Sequence, residues 1–510
     1  MPDPQPSTIP HIAEAAARRW GDDIALIEGE DRISFADLWA DARAVASALR
    51  GRGVGDGGRV AIWAPNRREW IAAALGTHIL GAAIVPLNTR YKGREAADII
   101  RRAGCTLLFT VGDFLGSDYR AMLADEALDD LAHVIAIDSD WDAFLAGGSG
   151  ADDAEVAAAL ARLTPDHVSD IMFTSGTTGA PKGALATHGR VIGLMSSWSE
   201  VTSLAHGDRM LIANPFFHSF GYKAGWVACL ITGATMLPMA MFSVDETIRL
   251  IEQEKVSFVP GAPTIYQSLL AERAGAPFDS SSLRVAVTGA ASVPPVLVER
   301  MYSELGFDIV VTAYGMTECT AITICRAGDP IETIAYTCGR AVPGLEVRIT
   351  GEEGEALAAG ETGEIWVRGY GVMRGYLDDP EATTEAIDAE GWLHTGDVGT
   401  MDDEGYLRIT DRKKDMYICG GFNCYPAEIE NLLSAHPDVE MVAVVGVSDE
   451  RMGEVGKAYI IPRAGRTPDE ADIIAWSRDN MANYKVPRSI AFVDDLPRNA
   501  SGKVLKTELR

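Results

Sequence analysis

The sequence predicts an α/β protein with a large N-terminal part, a β-rich subdomain after it and a small α+β unit at the C-terminus. Strand-like and helix-like segments alternate along the N-terminal two-thirds, as over Arg59–Trp63, Glu69–Leu80 and Ala83–Pro86. Such alternation is typical of βαβ units. From about residue 340 the pattern changes, since Gly344–Arg368 has short alternating runs between glycine turns. This change indicates a smaller β-rich subdomain.

The residues after Arg412 predict a separate compact unit. Their pattern is helix, strand, strand and helix, over Pro426–Ala435, Val439–Val447, Val455–Pro462 and Pro468–Met481. About a hundred residues is near the lower end of ordinary domain size. We therefore divide the chain into a domain of residues 1–411 and a domain of residues 412–510.

One N-terminal helix is marked at both ends. Ser34 is a predicted N-cap, with Asp37 three residues later as its capping partner, and Gly51 follows the last apolar position. This is the capping-box pattern followed by a glycine stop. The apolar residues that would share one face are Leu38, Ala42, Val45, Ala46 and Leu49. We expect a structural role for this helix.

The bulk composition predicts a large cytoplasmic protein with more than one core. The chain has 510 residues, of which 47% are hydrophobic, enough for two to four domains. Its polar, proline-rich first ten residues do not resemble a secretory signal. The apolar stretches Ile71–Leu87 and Gly225–Met241 are interrupted by polar or turn residues, so we expect no transmembrane segment. Seven cysteines form no C-x-x-C pair, which favours reduced thiols.

The net charge of −28 argues against nucleic acid or an anionic membrane as a partner, because a strongly acidic surface repels both. The charge is unevenly distributed, since residues 412–510 carry 14 basic and 15 acidic side chains. A small anionic ligand therefore meets least repulsion near the C-terminal domain. The sequence leaves the oligomeric state open, a homodimer included.

A loop rich in small residues carries the strongest functional signal. Thr174-Ser-Gly-Thr-Thr-Gly-Ala-Pro-Lys-Gly183 follows the apolar run Ile171–Phe173, so a strand delivers main-chain amides and hydroxyls that suit phosphate oxygens. Lys182 is followed by glycine rather than by serine or threonine, so this is not a Walker P-loop. The loop predicts a triphosphate site on another kind of fold, and the alternative is an ordinary surface turn.

This loop resembles the signature loop of the adenylate-forming superfamily, which contains acyl-CoA synthetases, aryl-CoA ligases, luciferases and the adenylation domains of peptide synthetases. Further similar segments occur in the family's order along nearly the whole chain. They are Tyr314-Gly-Met-Thr-Glu318, Trp392-Leu-His-Thr-Gly-Asp397, Asp411-Arg-Lys-Lys-Asp415 and Pro497-Arg-Asn-Ala-Ser-Gly-Lys503. The resemblance implies a large domain of αβα-layered subdomains followed by a small mobile domain.

The resemblance also implies sites for ATP and Mg²⁺. Hydroxyls and amides of the loop would bind the phosphates, and the segment from Tyr314 would bind adenine. Glu318 would reach Mg²⁺ as a hard oxygen ligand, and the ribose would lie against Asp397 and Arg412. The full nucleotide set comprises Thr174, Ser175, Gly176, Thr177, Thr178, Lys182, Gly289, Ala290, Ala291, Ser292, Tyr314, Gly315, Thr317, Asp397, Arg412, Lys414 and Lys503. The alternatives that local sequence leaves open are an ordinary solvated acid at Glu318 and a core aromatic at a strand end for Tyr314.

Two half-reactions follow from the family. Lys503 would approach the α-phosphate and the attacking carboxylate, where a positive charge counts most. Rotation about a hinge near Lys414 would then withdraw this lysine and bring Gly420 and Gly421 to a narrow tunnel for the pantetheine arm of CoA. The chain ends seven residues after Lys503, so we expect free CoA, not a carrier domain, as acyl acceptor.

The acyl pocket is predicted from Asn214–Gly225, which resembles the family's pocket-entry segment. His218 would orient the carboxylate, or is a hydrogen-bonded structural histidine. Lys223 either contacts a keto or other polar group of the substrate, or points to solvent or into an internal ion pair. The remaining predicted pocket residues are Tyr222, Thr264, Gly289 and Thr312. The chain departs from the family at Gly289-Ala-Ala-Ser292, where Gly-Gly-Ala-Pro is frequent.

The leading hypothesis is an ATP-dependent carboxylic acid:CoA ligase that releases AMP and pyrophosphate. The segments around His218 and Gly420 most resemble the actinobacterial-type ligases that activate the bicyclic propanoate left by steroid ring degradation. The alternatives are a fatty or aryl acid:CoA ligase, a luciferase-like oxygen-using enzyme, and a non-catalytic nucleotide-binding protein. The small-molecule partners implied are a carboxylic acid, ATP and CoA.

Overall fold

The computed structural model describes residues 7–148, 153–174, 181–289, 293, 295–351, 353–412, 417–424, 426–433, 435–463, 465–497 and 506–509. Its helices and strands confirm the predicted α/β class. Two hydrophobic cores are formed, one by residues between Ile9 and Leu407 and the other by residues between Tyr417 and Val486. No helix in these described ranges is long and apolar enough to cross a bilayer.

The first sheet is mostly parallel and carries the Tyr314 segment. From one edge to the other its strands are Arg340–Ala341, Cys319–Ile324, Ile309–Met316, Val285–Gly289, Phe258–Gly261, Arg209–Ile212, Thr235–Pro238, Ile24–Glu28 and Asp31–Ser34. The central strands are almost wholly apolar and buried, as expected for a parallel sheet covered on both faces. Gly289 lies opposite Ala313 in register, so this glycine and Tyr314 reach the same sheet edge.

The second sheet carries the loop that follows Thr174. Its strands, in order, are Gly375–Tyr376, Lys182–Thr187, Val168–Thr174, Ala83–Pro86, Arg59–Trp63, Leu107–Thr110 and His133–Ala136. Val168–Thr174 and Lys182–Thr187 pair antiparallel and place Thr174 opposite Lys182. The short strand ending at Tyr376 pairs with Lys182–Thr187, which brings this tyrosine near Lys182. A small separate ribbon pairs Asp113–Phe114 with Ser117–Asp118.

The third sheet is the predicted β-rich subdomain. It is antiparallel, with the strand order Leu345–Thr350, Gly363–Gly369, Leu393–Met401 and Leu407–Arg412. Asp397 lies in its third strand and pairs in register with Arg412. The C-terminal sheet has the order Phe422–Cys424, Tyr417–Cys419, Gly453–Pro462 and Val439–Asp449, and Ser489–Phe492 pairs with Gly453–Pro462.

The helices cover the sheets. The α-helices of the described residues are Ile9–Trp20, Phe35–Arg50, Arg68–Ile79, Gly93–Ala103, Tyr119–Leu123, Trp141–Ala146, Asp153–Arg162, His188–Val201, Ser219–Gly221, Ala228–Thr232, Val244–Glu254, Pro263–Gly275, Pro295–Arg300, Ile331–Tyr336, Pro380–Ala386, Pro426–Leu433 and Glu470–Asn480. Tyr222–Val227 and Met301–Leu305 are π-helical, and Lys506–Glu508 is a 3₁₀ turn. Ser34 and Asp37 form the predicted capping box of Phe35–Arg50.

Candidate active site

The first and second sheets meet at the predicted phosphate end of the nucleotide site. Glu318 lies in the turn between two strands of the first sheet, and its Oε1 is 3.5 Å from Oγ1 of Thr174 in the second sheet. The Tyr376 hydroxyl donates to the same Glu318 oxygen at 2.9 Å. Glu318 itself is buried, with 7% of the residue exposed. The structure thus brings Thr174 and Glu318 together, although 144 positions separate them in the chain.

Burial alters the chemistry of Glu318. Desolvation raises the pKa of its carboxyl group, and the hydrogen bonds from Tyr376 and Thr174 oppose this rise. A nearby cation would favour the charged form. The described residues hold no cluster of three or more acidic, histidine or cysteine ligands. Mg²⁺, however, commonly takes one or two protein carboxylates and completes its shell with phosphate oxygens and water, so a buried carboxylate beside Thr174, where the predicted phosphate loop begins, fits this ion.

The first and third sheets are joined at the predicted nucleoside position. The Tyr314 hydroxyl donates to Oδ2 of Asp397 at 2.6 Å. Gly315 is needed next to it, since a Cβ atom there would lie 2.1 Å from the carbonyl oxygen of Thr320. The ring of Tyr314 is 8% exposed. Tyr314 therefore fixes the carboxylate predicted to bind the ribose.

The Asp397 turn has further supports that the sequence did not suggest. Gly396 has a φ of +72°, which glycine adopts without strain. Its main-chain N–H donates to Glu364 Oε1 at 3.0 Å, while Thr395 Oγ1 donates to the carbonyl of Ile365 at 2.7 Å. These contacts hold the turn on the neighbouring strand.

His218 lies at the start of the short helix Ser219–Gly221. Its Nδ1 accepts a hydrogen bond from the main-chain N–H of Phe220 at 3.2 Å, and the side chain stays open to solvent even though protein atoms surround it closely. The surrounding protein lowers the pKa of His218 to about 4 by desolvation, and the charge of Lys223 acts in the same direction. The imidazole is therefore neutral at pH 7. With Nδ1 accepting, the proton resides on Nε2, which can donate to a carboxylate.

Lys223 has an internal partner. Its Nζ is 2.9 Å from Oδ1 of Asp170, and the two side chains are 4% and 0% exposed. Asp170 Oδ2 accepts from Ser169 Oγ at 2.8 Å. Of the alternatives open from sequence, the internal ion pair is thus present. Lys223 also lines a small cavity together with Thr317, Glu318, Met195 and Met373, while its ammonium is held by Asp170.

Two predicted pocket residues have core contacts. Tyr222 is fully buried, with its ring 5.0 Å from that of Trp226 and 6.1 Å from that of Trp70. The Thr312 hydroxyl is 2.9 Å from the carbonyl oxygens of both Ile334 and Thr337. These contacts give both side chains neighbours within the core, and their place in the acyl pocket stays a prediction. Thr264, in contrast, is exposed at the start of Pro263–Gly275.

Lys182 and the two C-terminal glycines are described as well. Lys182 Nζ lies 5.4 Å from the ring centre of Tyr376, close to the Glu318 contact. Gly420 and Gly421 connect strands Tyr417–Cys419 and Phe422–Cys424, with φ values of +56° and +84°. Such values disfavour other residues, so this hairpin needs glycine for its backbone as well as for any ligand.

The remaining predictions fall outside the described residues. They concern Ser175, Gly176, Thr177, Thr178, Ala290, Ala291, Ser292, Lys414 and Lys503, as well as the side chain of Arg412.

Comparison with known proteins identifies the family. The AMP-binding enzyme profile matches residues 13–377, and the profile of the AMP-binding enzyme C-terminal domain matches residues 428–503. The chain therefore belongs to the AMP-binding enzyme family. Its identity of 50% and 51%, over 99% of its length, to two curated acyl-CoA ligases makes this protein an AMP-forming acyl-CoA ligase.

Two relatives share half of its residues. The chain is 50% identical to the 3-[(3aS,4S,7aS)-7a-methyl-1,5-dioxo-octahydro-1H-inden-4-yl]propanoyl:CoA ligase of Rhodococcus jostii (strain RHA1), with 99% of both chains covered. It is 51% identical to the protein of that name from Mycobacterium tuberculosis (strain ATCC 25618 / H37Rv), with 99% of this chain and 98% of the relative covered.

Two solved structures of one Bacillus subtilis enzyme, o-succinylbenzoate CoA synthetase, share the fold. A double mutant bound with its product analogue OSB-NCoA matches with a TM-score of 0.85 at 30% identity. The complex with AMP matches with a TM-score of 0.69 at 29% identity. Each match covers 99% of this chain and 98% of the other. The chain thus resembles the first structure more than the second.

Proposed function

We propose that this enzyme converts a keto-bicyclic propanoate of steroid origin into its CoA thioester, with ATP and Mg²⁺, in the cytoplasm. The observation that carries the proposal is the sequence identity of 50% and 51%, over nearly the whole length, to two ligases named for such a substrate. Lys223 does not add to this argument, because its ammonium is buried against Asp170 inside the protein.

In the first half-reaction, a carboxylate oxygen of the acid would attack the α-phosphorus of ATP. The new carboxyl–phosphorus bond forms as the bond from that phosphorus to the bridging oxygen breaks, and pyrophosphate leaves. The phosphates would be held by Thr174 and Ser175–Thr178. The nucleoside would be held by Tyr314 and Asp397, which are hydrogen-bonded to each other. The neutral His218 would orient the carboxylate by donating a hydrogen bond from Nε2. Glu318 would hold Mg²⁺, which neutralises phosphate charge when it is bound.

Lys503 would stabilise the charge that develops on the α-phosphate in this step. In the second half-reaction the thiol of CoA would lose its proton to solvent and its sulfur would bond to the acyl carbon. The bond from that carbon to the bridging oxygen would break, and AMP would leave with the carboxylate oxygen it received. Gly420 and Gly421 would line the path of the thiol arm. The hinge between the domains of residues 1–411 and 412–510, near Lys414, would separate the two steps.

The test is AMP release in the presence of CoA across a panel of keto-bicyclic, fatty and aryl propanoic acids. We expect kcat/KM to be highest for the keto-bicyclic acid, and Lys503→Ala to abolish pyrophosphate exchange. A higher kcat/KM for a fatty or aryl acid would reject the proposed substrate. Oxygen consumption without CoA would reject the ligase reaction as a whole.

A further inference from the structure

A buried lysine connects the two hydrophobic cores of the protein. Lys485 Nζ lies 2.8 Å from Oε1 of Glu95 and 2.6 Å from Oε1 of Glu428. Glu95 is in helix Gly93–Ala103 on the N-terminal side, whereas Glu428 is in helix Pro426–Leu433 of the C-terminal side. The lysine side chain is 3% exposed and both glutamates are 10% exposed.

Neighbouring contacts cross the same interface. The ammonium group lies 4.7 Å from the ring centre of Tyr91. Asn88 Nδ2 donates to the Tyr484 hydroxyl at 3.2 Å. Residues 88–95 of the N-terminal side therefore contact two consecutive residues of the C-terminal side. We call this set, Asn88, Tyr91, Glu95, Tyr484 and Lys485, the interdomain latch.

The latch is continuous with the glycine hairpin. The ring of Phe422 stacks on that of Tyr484, with centres 4.6 Å apart and planes 20° apart. Cys424 Sγ donates to the main-chain carbonyl of Tyr484 at 3.2 Å. Phe422 and Cys424 belong to the strand that follows Gly420 and Gly421. Fixing Tyr484 against Asn88 thus also fixes the position of this hairpin relative to the N-terminal domain.

A rotation of the small domain would affect the contacts of Lys485 with Glu95 and with Glu428 differently. Glu428 lies on the same side of the interface as Lys485 and keeps its contact when the small domain moves as a unit. Glu95 would lose the lysine, while its Oε2 would keep the hydrogen bond from the main-chain N–H of Lys92, at 2.9 Å. The Glu95–Lys485 contact therefore belongs to one domain arrangement.

The comparison structures indicate which arrangement this is. The match to o-succinylbenzoate CoA synthetase is closer for the complex with the CoA product analogue than for the AMP complex, with TM-scores of 0.85 and 0.69 at equal coverage. We propose that Lys485 is a positioning residue for the second half-reaction, and that through Glu95 it holds the small domain in the arrangement in which CoA reacts. The inference rests on the two-step function proposed above.

The test separates the half-reactions in Glu95→Gln. Glutamine retains a side-chain oxygen for the Lys92 N–H, so the start of the helix is preserved. We expect single-turnover transfer from bound acyl-adenylate to CoA to slow about tenfold, within the usual range of coupling between sites, while pyrophosphate exchange stays within about twofold of wild type. Equal loss in both steps, or no change in transfer, would overturn the inference.

Glu246→Gln is the matched control. Glu246 is likewise the third residue of an 11-residue helix and pairs with a cation, Arg249, at 2.7 Å, away from the interface. It should change neither step. Lys485→Met combined with Glu95→Gln should slow transfer no more than Lys485→Met alone, because both act through one contact. Additive effects would argue against that contact.

A distance measurement keeps the inference testable if the proposed acid is inactive. Spin labels at Asp130→Cys and Asp472→Cys, two exposed positions on opposite sides of the interface, report the domain arrangement without substrate. Glu95→Gln should lower the population at the wild-type distance. An unchanged distribution would refute the latch, whereas failure of every acid with the wild-type enzyme would refute only the proposed function.

Discussion

The hydroxyl of Tyr314 donates a hydrogen bond to Oδ2 of Asp397, with 2.6 Å between the two oxygens. Tyr314 lies in the last parallel strand of the first sheet, Ile309–Met316, and Asp397 lies in a strand of the antiparallel subdomain. A hydrogen bond to a charged group is among the stronger kinds in proteins. The contact therefore couples two subdomains at the position proposed for the nucleoside.

Tyr314→Phe should weaken ATP binding. Loss of a hydrogen bond to a carboxylate costs about 1.5–3 kcal/mol, so we expect KM for ATP to rise roughly tenfold or more, with kcat changed much less. Tyr406→Phe is the control, because its hydroxyl donates to Asp329 at 2.7 Å outside the site. An unchanged KM for ATP in Tyr314→Phe would contradict this role.

Glu318→Gln should lower activity and raise stability at neutral pH. Burial raises the pKa of this carboxyl group in the folded protein, so its ionisation opposes folding above that pKa and has no such effect at low pH. The neutral amide should therefore raise Tm by about 1–3 °C at pH 7.5 and by less near pH 4. Differential scanning calorimetry at the two pH values measures this difference.

The same variant tests the metal site. Pyrophosphate exchange should fall by about 100-fold, a typical loss when one electrostatic stabiliser is removed, and titration with Mg²⁺ should show weaker dependence. Tyr376→Phe, which removes the hydrogen bond that lowers the Glu318 pKa, should move the acidic limb of the rate profile to higher pH. Wild-type exchange and Mg²⁺ dependence in Glu318→Gln would exclude Glu318 as a ligand.

The Lys223–Asp170 pair should be costly to break from either side. Lys223→Met or Asp170→Asn leaves a buried charge without its partner, and we expect unfolding free energy to fall by about 3–5 kcal/mol. The double variant should recover most of that loss in urea denaturation. If the Lys223→Met enzyme that remains folded keeps its kcat/KM for the keto acid, the pair is structural and does not recognise substrate.

His218 should stay neutral through the physiological range. Because desolvation lowers the pKa of this imidazole to about 4, kcat/KM should show no inflection between pH 5.5 and 8 from His218. Its NMR signal, assigned by comparison with His218→Gln, should titrate near pH 4. A titration near the ordinary value of 6.5, which the exposure of the side chain alone would suggest, would show that desolvation does not govern this imidazole.

Much of the fold follows from local sequence signals. The capping box at Ser34 and Asp37 predicts the start of helix Phe35–Arg50, and the buried strand Arg59–Trp63 has the predicted bounds. Elements of the small domain differ from the prediction by a few residues at their ends, as for Gly453–Pro462. The ends of helices and strands depend on caps and pairing partners. A pattern of apolar residues predicts which face of an element is buried better than it predicts where the element ends.

Partners distant in sequence were harder to predict. Asp170 is a charged residue within a buried strand, a signal that a partner such as Lys223 was required, but its identity depends on the packing of a π-helical turn against that strand. Tyr376 reaches Glu318 only because a two-residue strand pairs with Lys182–Thr187. The contact between Lys485 and Glu95 depends on the domain arrangement, which no local pattern encodes.

The central claim, that an acyl-adenylate precedes the thioester, is tested most directly by isotope transfer. The keto-bicyclic propanoic acid, labelled with ¹⁸O at both carboxylate oxygens, is incubated with the wild-type enzyme, ATP, Mg²⁺ and CoA, and the products are analysed by mass spectrometry. The account predicts one ¹⁸O atom in each AMP and one in each acyl-CoA. Unlabelled AMP, or formation of ADP with labelled phosphate, would contradict it.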